Sequence, residues 1–386
     1  MRVLENRTGT TRARPLRILS LLRGRWDEQR APALQALADL GHEVVYVDQI
    51  LPRSGYRALI ERIKFDVAML WGSSLQNFLM TESEPFLLEE IGLPYVSLWT
   101  DHPTKHLFLL KDVRTPLHRA MFVPDTHVIA QMQAMGYDNL FYLPPWHIDP
   151  SIFRPVASDP QMECSVSFAG TVNPYHAERQ RWRMFWDRGM NAAADTVVDK
   201  LRRTRDYADP IDTLDGAYDP HSLAFSLIAH AMHFEQKAIA RELVIEAMHG
   251  RPLSITGIGS ASNLPLHVTT HRGREWNDLS PLFCSSLINL NTTQWPRSCH
   301  HRVFQTTASR AFCISDWRED AVALYEPDRE VVYFKSLDEL PDIIDRFTAE
   351  PAAARKIAEA GYRRFLAHHT VAHRMAEFSA ILERVL

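Results

Sequence analysis

The chain has 386 residues, of which 46% are hydrophobic and 23% charged, so it can form two globular domains with separate cores. Its formal net charge of −4 excludes the global basic field that attracts nucleic acid, and no apolar run is long enough to span a membrane. The four cysteines are scattered, without a CxxC motif or the spacing typical of disulfides, which predicts reduced thiols in a cytoplasmic protein.

The N-terminal half alternates between two kinds of segment after a polar stretch, residues 1–15, which we expect to be a frayed leader. Short apolar runs predict buried strands, and stretches of helical periodicity lie between them, as in a parallel sheet with right-handed crossovers. The predicted strands are 17–22, 43–47, 66–71, 95–99, 121–123 and 140–143. The predicted helices are 27–40, 56–63, 84–91 and 128–135.

Four prolines within residues 144–155 end this pattern and predict a linker. Alternation then resumes, except that residues 190–235 are helical and charged and pair with no strand. The predicted strands are 165–169, 253–257, 286–290, 312–315 and 331–334. The predicted helices are 178–188, 238–248, 303–309 and a helical C-terminal region. We therefore expect an α/β protein with two doubly wound domains, 1–155 and 156–370, followed by a terminal helix at 371–386.

Polar residues directly after a strand are candidates for chemistry, because ligands of open α/β sheets bind at the carboxyl ends of the strands. Asp101 and His102 follow the strand 95–99. Side by side, they provide a candidate general base or a pair that orients an acceptor hydroxyl. The alternative is that Asp101 caps the next segment while His102 packs or faces solvent.

A second polar exit follows the strand 286–290 and leads into a helix that begins near Val303. Free backbone N–H groups at a helix N-terminus bind anions, and an arginine there adds bidentate phosphate contacts. The alternative is a surface ion pair for the arginine and turn-stabilising asparagines. The candidate residues of this segment are Asn289, Asn291, Thr292, Arg297, His301 and Arg302.

Weaker signals lie elsewhere. Gly170 and Thr171 after a strand permit close approach of backbone to a ligand, although a plain tight turn explains them equally well. The loop Arg23-Gly24-Arg25 is similar but lacks the dinucleotide-binding glycine fingerprint. Eighteen histidines include pairs at helical spacing, yet no metal-binding motif accompanies them, so we predict no metal site.

Several of these stretches together resemble the CgeB-like glycosyltransferases of the spore-maturation type, which are related to family 4 enzymes of the GT-B fold. No stretch is decisive alone, but their order and spacing are fairly specific, and the similarity covers the chain except for about 190–235. The stretches that carry it are 92–103, 142–149, 153–155, 168–170, 289–291, 301–305 and 358–374.

The resemblance implies two Rossmann-like domains facing each other across a cleft, with a nucleotide-diphosphate sugar in the C-terminal domain and the acceptor near the N-terminal one. It implies that Arg302 holds the diphosphate and that residues 289–293 line the donor. It also implies that the terminal helix returns to the first domain. Related enzymes have a ribose-binding Glu at the position of Gln305, so the neutral amide here implies a weaker contact.

We therefore expect a cytoplasmic glycosyltransferase that needs neither metal nor cofactor and transfers sugar to an acceptor hydroxyl on a polysaccharide, a protein or a small molecule. Two alternatives stay open: a non-catalytic binding or scaffold protein of the same fold, which Gln305 favours, and an epimerase or phosphorylase. Residues 190–235 are interpreted as an acceptor platform, an oligomer contact or a solvated helical excursion. No nucleic-acid partner and no integral membrane segment are expected.

Overall fold

The computed structural model describes residues 2–21, 29–48, 51–72, 86–110, 114–172, 175–257 and 264–386. The chain divides into two compact units. Unit 1 comprises Met1–Asp149 and Thr370–Leu386, and unit 2 comprises Pro150–His369. Among the described residues, no helix is both long enough and apolar enough to cross a membrane.

Unit 1 contains a sheet of seven described strands in the order β1-β3-β2-β4-β5-β6-β7. Neighbours from β2 onward are parallel, because each strand is followed by a crossover rather than a hairpin. The strands are β1 (Arg2–Val3), β2 (Arg17–Leu21), β3 (Glu43–Val47), β4 (Val67–Trp71), β5 (Tyr95–Leu98), β6 (His118–Val123) and β7 (Leu140–Tyr142). The helices are α1 (Ala31–Asp39), α2 (Arg53–Ile63), α3 (Leu87–Ile91), α4 (Leu107–Leu110), α5 (Thr126–Ala134) and α15 (Val371–Val385).

The leader differs from its expected frayed state. Arg2 and Val3 form the edge strand β1, which pairs antiparallel with β3, and the backbone N–H of Leu4 donates to Val44 O at 3.0 Å. The side chain of Arg7 then forms an ion pair with Asp39 at the end of α1. The prediction of a frayed leader is therefore wrong at its N-terminal end. Backbone hydrogen bonds and an ion pair hold this polar stretch, and neither leaves an apolar periodicity in the sequence.

The terminal helix α15 belongs to unit 1. Phe378 is fully buried there against Phe122 of β6, with ring centroids 4.7 Å apart. His42, between α1 and β3, accepts a hydrogen bond at Nδ1 from the Leu16 N–H at 3.2 Å. Its Nε2 lies 2.7 Å from Ser379 Oγ, so the ring links the sheet to α15.

Unit 2 contains a second sheet, whose described strands are all parallel and run in the order β10-β9-β8-β11-β12-β13. The strands are β8 (Cys164–Ala169), β9 (Leu253–Gly257), β10 (Val268–Arg272), β11 (Ser286–Asn291), β12 (Cys313–Asp316) and β13 (Val332–Phe334). The helices are α6 (Tyr175–Arg183), α7 (Arg188–Thr204), α8 (Pro210–Leu214), α9 (Leu223–Ala247), α10 (Leu279–Ser285), α11 (His301–Ala308), α12 (Glu319–Leu324), α13 (Leu340–Ala349) and α14 (Pro351–His368).

The strand order of unit 2 is that of a doubly wound nucleotide-binding sheet, which reverses direction between β8 and β11. The predicted α/β class with doubly wound sheets is therefore confirmed. The stretch 190–235 forms α7, α8 and the start of α9, and their apolar faces pack into the core of unit 2 through residues such as Val197 and Ile228. Residues 190–235 are therefore a packed helical layer of unit 2, and the interpretation as a solvated helical excursion is wrong.

Candidate functional site

The carboxyl ends of β8 and β11 define the site in unit 2, because the sheet reverses its strand order between them. Gly170 and Thr171 follow β8, and Thr292 follows β11. The N-terminus of α11 follows the β11 exit a few residues later. The structure therefore brings the loop after β8 and the segment after β11 to one edge of the sheet.

The β8 exit has no room for side chains. The N–H of Gly170 donates to Thr256 O at 2.9 Å, and a Cβ at Gly170 would lie 2.6 Å from the Phe168 ring. A Cβ at Gly257, the last residue of β9, would lie 2.0 Å from the Gly170 carbonyl oxygen. Two neighbouring strand ends therefore meet backbone to backbone, which leaves the edge above them open to a ligand.

Two arginines lie at this edge. Arg241 of α9 is buried, donates from Nη1 to Thr171 O, and would have Nη2 3.4 Å from a Cβ at Gly170. Arg302 lies at the start of α11 and is half-buried. Burial and the positive charge of Arg241 lower the pKa of Arg302 to about 9. Two cations that disfavour each other in this way form a site that a bound anion would stabilise.

The α11 N-terminus adds backbone donors to the same place. His300 is its N-cap, and its Nδ1 accepts a hydrogen bond from the Arg302 N–H at 3.4 Å. The ring of His301 stacks near that of His300, with centroids 4.0 Å apart, and lies 5.7 Å from the Trp276 ring. The helix dipole therefore points its positive end at the edge that carries Arg302.

The two asparagines predicted to line the site, Asn289 and Asn291, differ in what their side chains contact. Asn289 lies inside β11, where its Nδ2 donates to Phe283 O at 3.1 Å and to Phe312 O at 3.2 Å. Its Oδ1 accepts from Ser167 Oγ at 2.9 Å, so the amide is fully used in holding the sheet together. Asn291 lies at the strand end, and its Nδ2 donates to Ser315 Oγ at 2.9 Å.

Unpaired buried polar atoms are concentrated after β11. The Oδ1 of Asn291, the Oγ1 of Thr293, the Oε1 of Gln294 and both amide atoms of Gln305 have no hydrogen-bond partner among the described residues. Gln305 is 0% exposed, and Asn291 and Thr293 are also buried. Buried polar atoms are nearly always paired in folded proteins, so such a group within fifteen residues is typical of a site that a ligand completes.

A cavity of about 430 Å³ opens beside this segment, within unit 2. Its lining includes Thr292, Thr293, Gln294 and Arg318. The guanidinium of Arg318 donates to Asp316 Oδ2 at 3.1 Å and is also paired with Asp206. Burial opposes the charge of Arg318, but Asp316 and Asp206 outweigh it and raise its pKa. The cavity is large enough for a hexose and offers it hydroxyl, amide and charged groups.

Three other predicted site residues, Arg297 in unit 2 and Asp101 and His102 in unit 1, are not among the groups described above. Arg297 is exposed, 4.0 Å from Glu319. Asp101 follows β5 with its side chain 52% exposed, and lies 3.6 Å from Nζ of the buried Lys105, whose pKa is lowered by burial. His102 is buried, with Nδ1 2.5 Å from Thr104 Oγ1. Although adjacent in sequence, Asp101 and His102 thus differ in their access to solvent.

The glycine loop of the N-terminal half and the predicted absence of a metal site are the remaining predictions about the site. The loop Arg23-Gly24-Arg25 lies outside the described residues. Within the described ranges, no group of three or more His, Cys, Asp or Glu side chains is arranged to hold a metal ion. The histidine pairs at helical spacing are His230/His233 and His369/His373. His233 Nε2 lies 2.7 Å from Lys237 Nζ, and His373 Nδ1 lies 2.7 Å from Thr370 Oγ1.

Sequence reasoning missed Arg241, Gly257 and Gln294. Nothing marks Arg241 among the charged residues of a long helix, because periodicity shows which face is apolar but not which arginine reaches a neighbouring strand end. Gly257 ends a predicted strand, and that position was the available signal for close backbone approach. Gln294 directly follows the predicted donor-lining exit, residues 289–293, which ends at Thr293.

Comparisons with known proteins agree with this geometry. Residues 238–380 match the family model described as "Glycosyl transferase-like", and this stretch contains Arg241, Gly257 and all of α11. A search of curated proteins found no match. The CgeB-like subtype is not distinguished by these comparisons.

Solved structures share the fold across nearly the whole chain. HepE from Anabaena, in complex with UDP and glucose, is 9% identical with a TM-score of 0.58, covering 96% of this chain and 100% of its own. Sucrose-phosphate synthase from Thermosynechococcus elongatus is 10% identical with a TM-score of 0.60 and the same coverage. A putative UDP-N-acetylglucosamine 2-epimerase from Listeria monocytogenes is 10% identical with a TM-score of 0.51, covering 96% of both chains. The predicted GT-B fold is thereby confirmed.

Proposed function

We propose that the protein is a glycosyltransferase of the CgeB-like kind, which binds a nucleoside-diphosphate sugar in unit 2 and transfers its sugar to an acceptor hydroxyl. The observation that carries this proposal is the Arg241 guanidinium bound to the Thr171 carbonyl oxygen, with Arg302 near enough to Arg241 for the two positive charges to repel each other. A diphosphate neutralises both cations at once. The match of residues 238–380 to a glycosyltransferase-like model supports the same reading.

The chemistry follows from where charge develops. When the bond between sugar and diphosphate breaks, the leaving nucleoside diphosphate gains negative charge. Arg302, Arg241 and the N–H groups that begin α11 stabilise that charge in the transition state. Because two guanidinium groups and the helix N–H donors supply this positive charge, we propose that the transfer needs no metal ion. Arg297 and His301 lie on the same segment, and we assign them outer contacts with the donor.

The rest of the donor meets the unpaired polar atoms. The Gln305 side chain forms a hydrogen bond with a ribose hydroxyl, either as donor or as acceptor. Asn291, Thr292 and Thr293 face the sugar side of the diphosphate. A hydroxyl-rich ligand gives hydrogen bonds to the unpaired oxygens of Asn291 and Thr293. Asn289 supports this segment from within the sheet rather than by touching the donor.

Unit 1 supplies the acceptor side. Asp101 is exposed at the end of β5 and takes the proton of the attacking hydroxyl, while His102 holds the turn that carries it. The ion pair with Lys105 keeps the Asp101 carboxylate oriented. The scattered cysteines favour a cytoplasmic location for this reaction.

Donor turnover tests the proposal. The protein is incubated with UDP, GDP and dTDP sugars, starting with UDP-glucose because HepE was crystallised with UDP and glucose, and nucleoside diphosphate release is measured. The expected result is slow release from one donor, lowered at least roughly a hundredfold by Asp101→Asn with donor affinity unchanged. Binding without release in the wild type would favour a scaffold protein, and conversion to an epimeric sugar would favour an epimerase.

A further inference from the structure

Two large apolar side chains project into solvent from one turn of unit 2. Met184 and Phe185 follow α6 directly, and they are 75% and 84% exposed. Their neighbours Trp182 and Trp186 turn the other way and pack against the core of the unit. The turn 184–187 therefore separates its side chains, with two indoles anchored inward and two apolar tips outward.

The turn is held in this conformation by hydrogen bonds. The Asn191 Nδ2 donates to the carbonyl oxygens of Arg183 and Trp186, each at 3.2 Å. The side chain of Asp187 caps α7 by accepting from the Met190 N–H at 2.8 Å. Because the backbone is fixed on both sides, Met184 and Phe185 are presented outward rather than free to fold onto the protein.

The start of α9 adds two more exposed leucines. Leu223 and Leu227, one helical turn apart, are 53% and 45% exposed. The chain that leads into α9 lies beside the turn, because the Tyr218 hydroxyl would be 3.1 Å from a Cβ at Gly189. The exposed apolar side chains of α6 to α9 thus belong to neighbouring segments.

Three arginines flank the turn, whose one acidic residue, Asp187, caps α7. Arg181, Arg183 and Arg188 are exposed on either side of Met184 and Phe185. Arg183 forms an ion pair with Asp195, whereas Arg181 and Arg188 form none with any described residue. Apolar and aromatic tips flanked by arginine are the combination that binds the interface of a bilayer with anionic lipids.

We propose that this turn, together with the arginines on either side of it (residues 181–188), docks unit 2 onto the surface of an anionic lipid bilayer. The size of the patch favours a bilayer over a protein partner, because a stable protein interface needs about 800 Å² on each side. The four exposed apolar side chains, Met184, Phe185, Leu223 and Leu227, fall short of that area. The two tips of the turn can nevertheless enter the headgroup region while the arginines meet lipid phosphates. Binding of this kind is peripheral and reversible, and it does not depend on the function proposed above.

Vesicle co-sedimentation of the full-length protein tests the inference, using phosphatidylcholine vesicles with and without phosphatidylglycerol. The wild type is expected to sediment with the anionic vesicles only. The variants M184S/F185S and R181Q/R188Q should each weaken binding by roughly tenfold or more, and salt should weaken the wild type. Matched controls are Leu366→Ser and Arg355→Gln, which change an exposed leucine and arginine on α14 and should bind as the wild type does.

All substituted side chains are exposed, so thermal unfolding should be unchanged and a folding defect would be visible directly. Failure of the wild type to bind anionic vesicles, or equal binding by M184S/F185S, would overturn the inference. Self-association that depends on Phe185, measured by analytical ultracentrifugation without vesicle binding, would assign the patch to a second copy of the chain and equally overturn it.

Discussion

Arg241 donates a hydrogen bond from Nη1 to the carbonyl oxygen of Thr171, which joins α9 to the loop that ends β8. Seventy residues separate the two in sequence. The same guanidinium is close enough to Arg302 for its charge to lower the pKa of that residue. One side chain therefore holds the loop and adds positive charge beside Arg302.

Close packing of the glycines predicts a sensitive position at Gly257. The variant Gly257→Ala places a methyl group where the Gly170 carbonyl oxygen would be only 2.0 Å away, so the Gly170–Thr171 loop must move. We expect a loss of about 1–3 kcal/mol in the free energy of unfolding and impaired donor binding. Urea unfolding and UDP titration measure these effects.

The control for this prediction is Gly55→Ala in α2, where the nearest atom to a new Cβ is 3.3 Å away. Alanine favours a helix, so this variant should be neutral or slightly stabilising. Equal unfolding curves for Gly257→Ala and the wild type would contradict the backbone contact between β8 and β9.

Replacement of Arg302 by Met should separate stability from function. At neutral pH the folded protein holds a charged guanidinium that burial and Arg241 disfavour, so removing the charge favours folding. We expect the free energy of unfolding without ligand to stay equal or rise by about 1 kcal/mol. A large loss of stability in Arg302→Met would instead indicate that the residue holds the fold together.

Gln305 should behave similarly for a different reason. Both of its amide atoms are buried without a partner among the described residues, so Gln305→Leu removes an uncompensated desolvation cost. The expected result is stability raised by roughly 1 kcal/mol and donor affinity lowered about tenfold. Thr307→Val on the same helix is the control. Its hydroxyl lies 2.9 Å from both Val303 O and Tyr325 Oη, so that variant should lose stability. Unchanged donor affinity in Gln305→Leu would refute the ribose contact.

Acid should destabilise unit 1 through its buried histidines. Burial, with the charge of Arg12, lowers the pKa of His42 to about 4, and burial, with that of Arg30, lowers the pKa of His147 to about 3. Between these values and the ordinary 6.5 the unfolded chain binds more protons, so stability is complete above about pH 6.5 and falls as the pH drops.

For His42 the loss between about pH 7 and pH 5 is about 2 kcal/mol. The variant His42→Asn keeps an acceptor for the Leu16 N–H but does not titrate, so its stability should fall less over the same range. Chemical unfolding at both pH values checks this difference. Parallel curves for variant and wild type would show that His42 does not control the acid response.

The sequence predicted the sheets well because their strands are buried on both faces and read as apolar runs. The structural bounds of β3 and β9 are those predicted, and most other strands differ by one to three residues at an end. Two edge strands, β10 and β1, escaped prediction for physical reasons. β10, Val268–Arg272, is largely exposed and polar, while β1 has only two residues and no apolar pattern.

The site was predictable only in part. A polar strand exit before a helix pointed to Arg302, since helix N-termini bind anions. Gln305 was pointed to only by the family resemblance. The Asn289 amide is paired inside the sheet, whereas Asn291 lies at the end of β11. This difference depends on where β11 ends, which the sequence does not determine to the residue. The contribution of Arg241 depends on how α9 packs against β8, which local periodicity does not encode.

Isothermal titration with UDP tests the central claim, that Arg241 and Arg302 together bind the donor's diphosphate. Wild-type protein should bind UDP, and Arg302→Met and Arg241→Met should each weaken binding by about a hundredfold, as expected for losing a charge-assisted phosphate contact. Arg355→Met, at an exposed arginine near the opposite ends of the same strands, should bind as the wild type does. Equal UDP affinity in all four proteins would contradict the account.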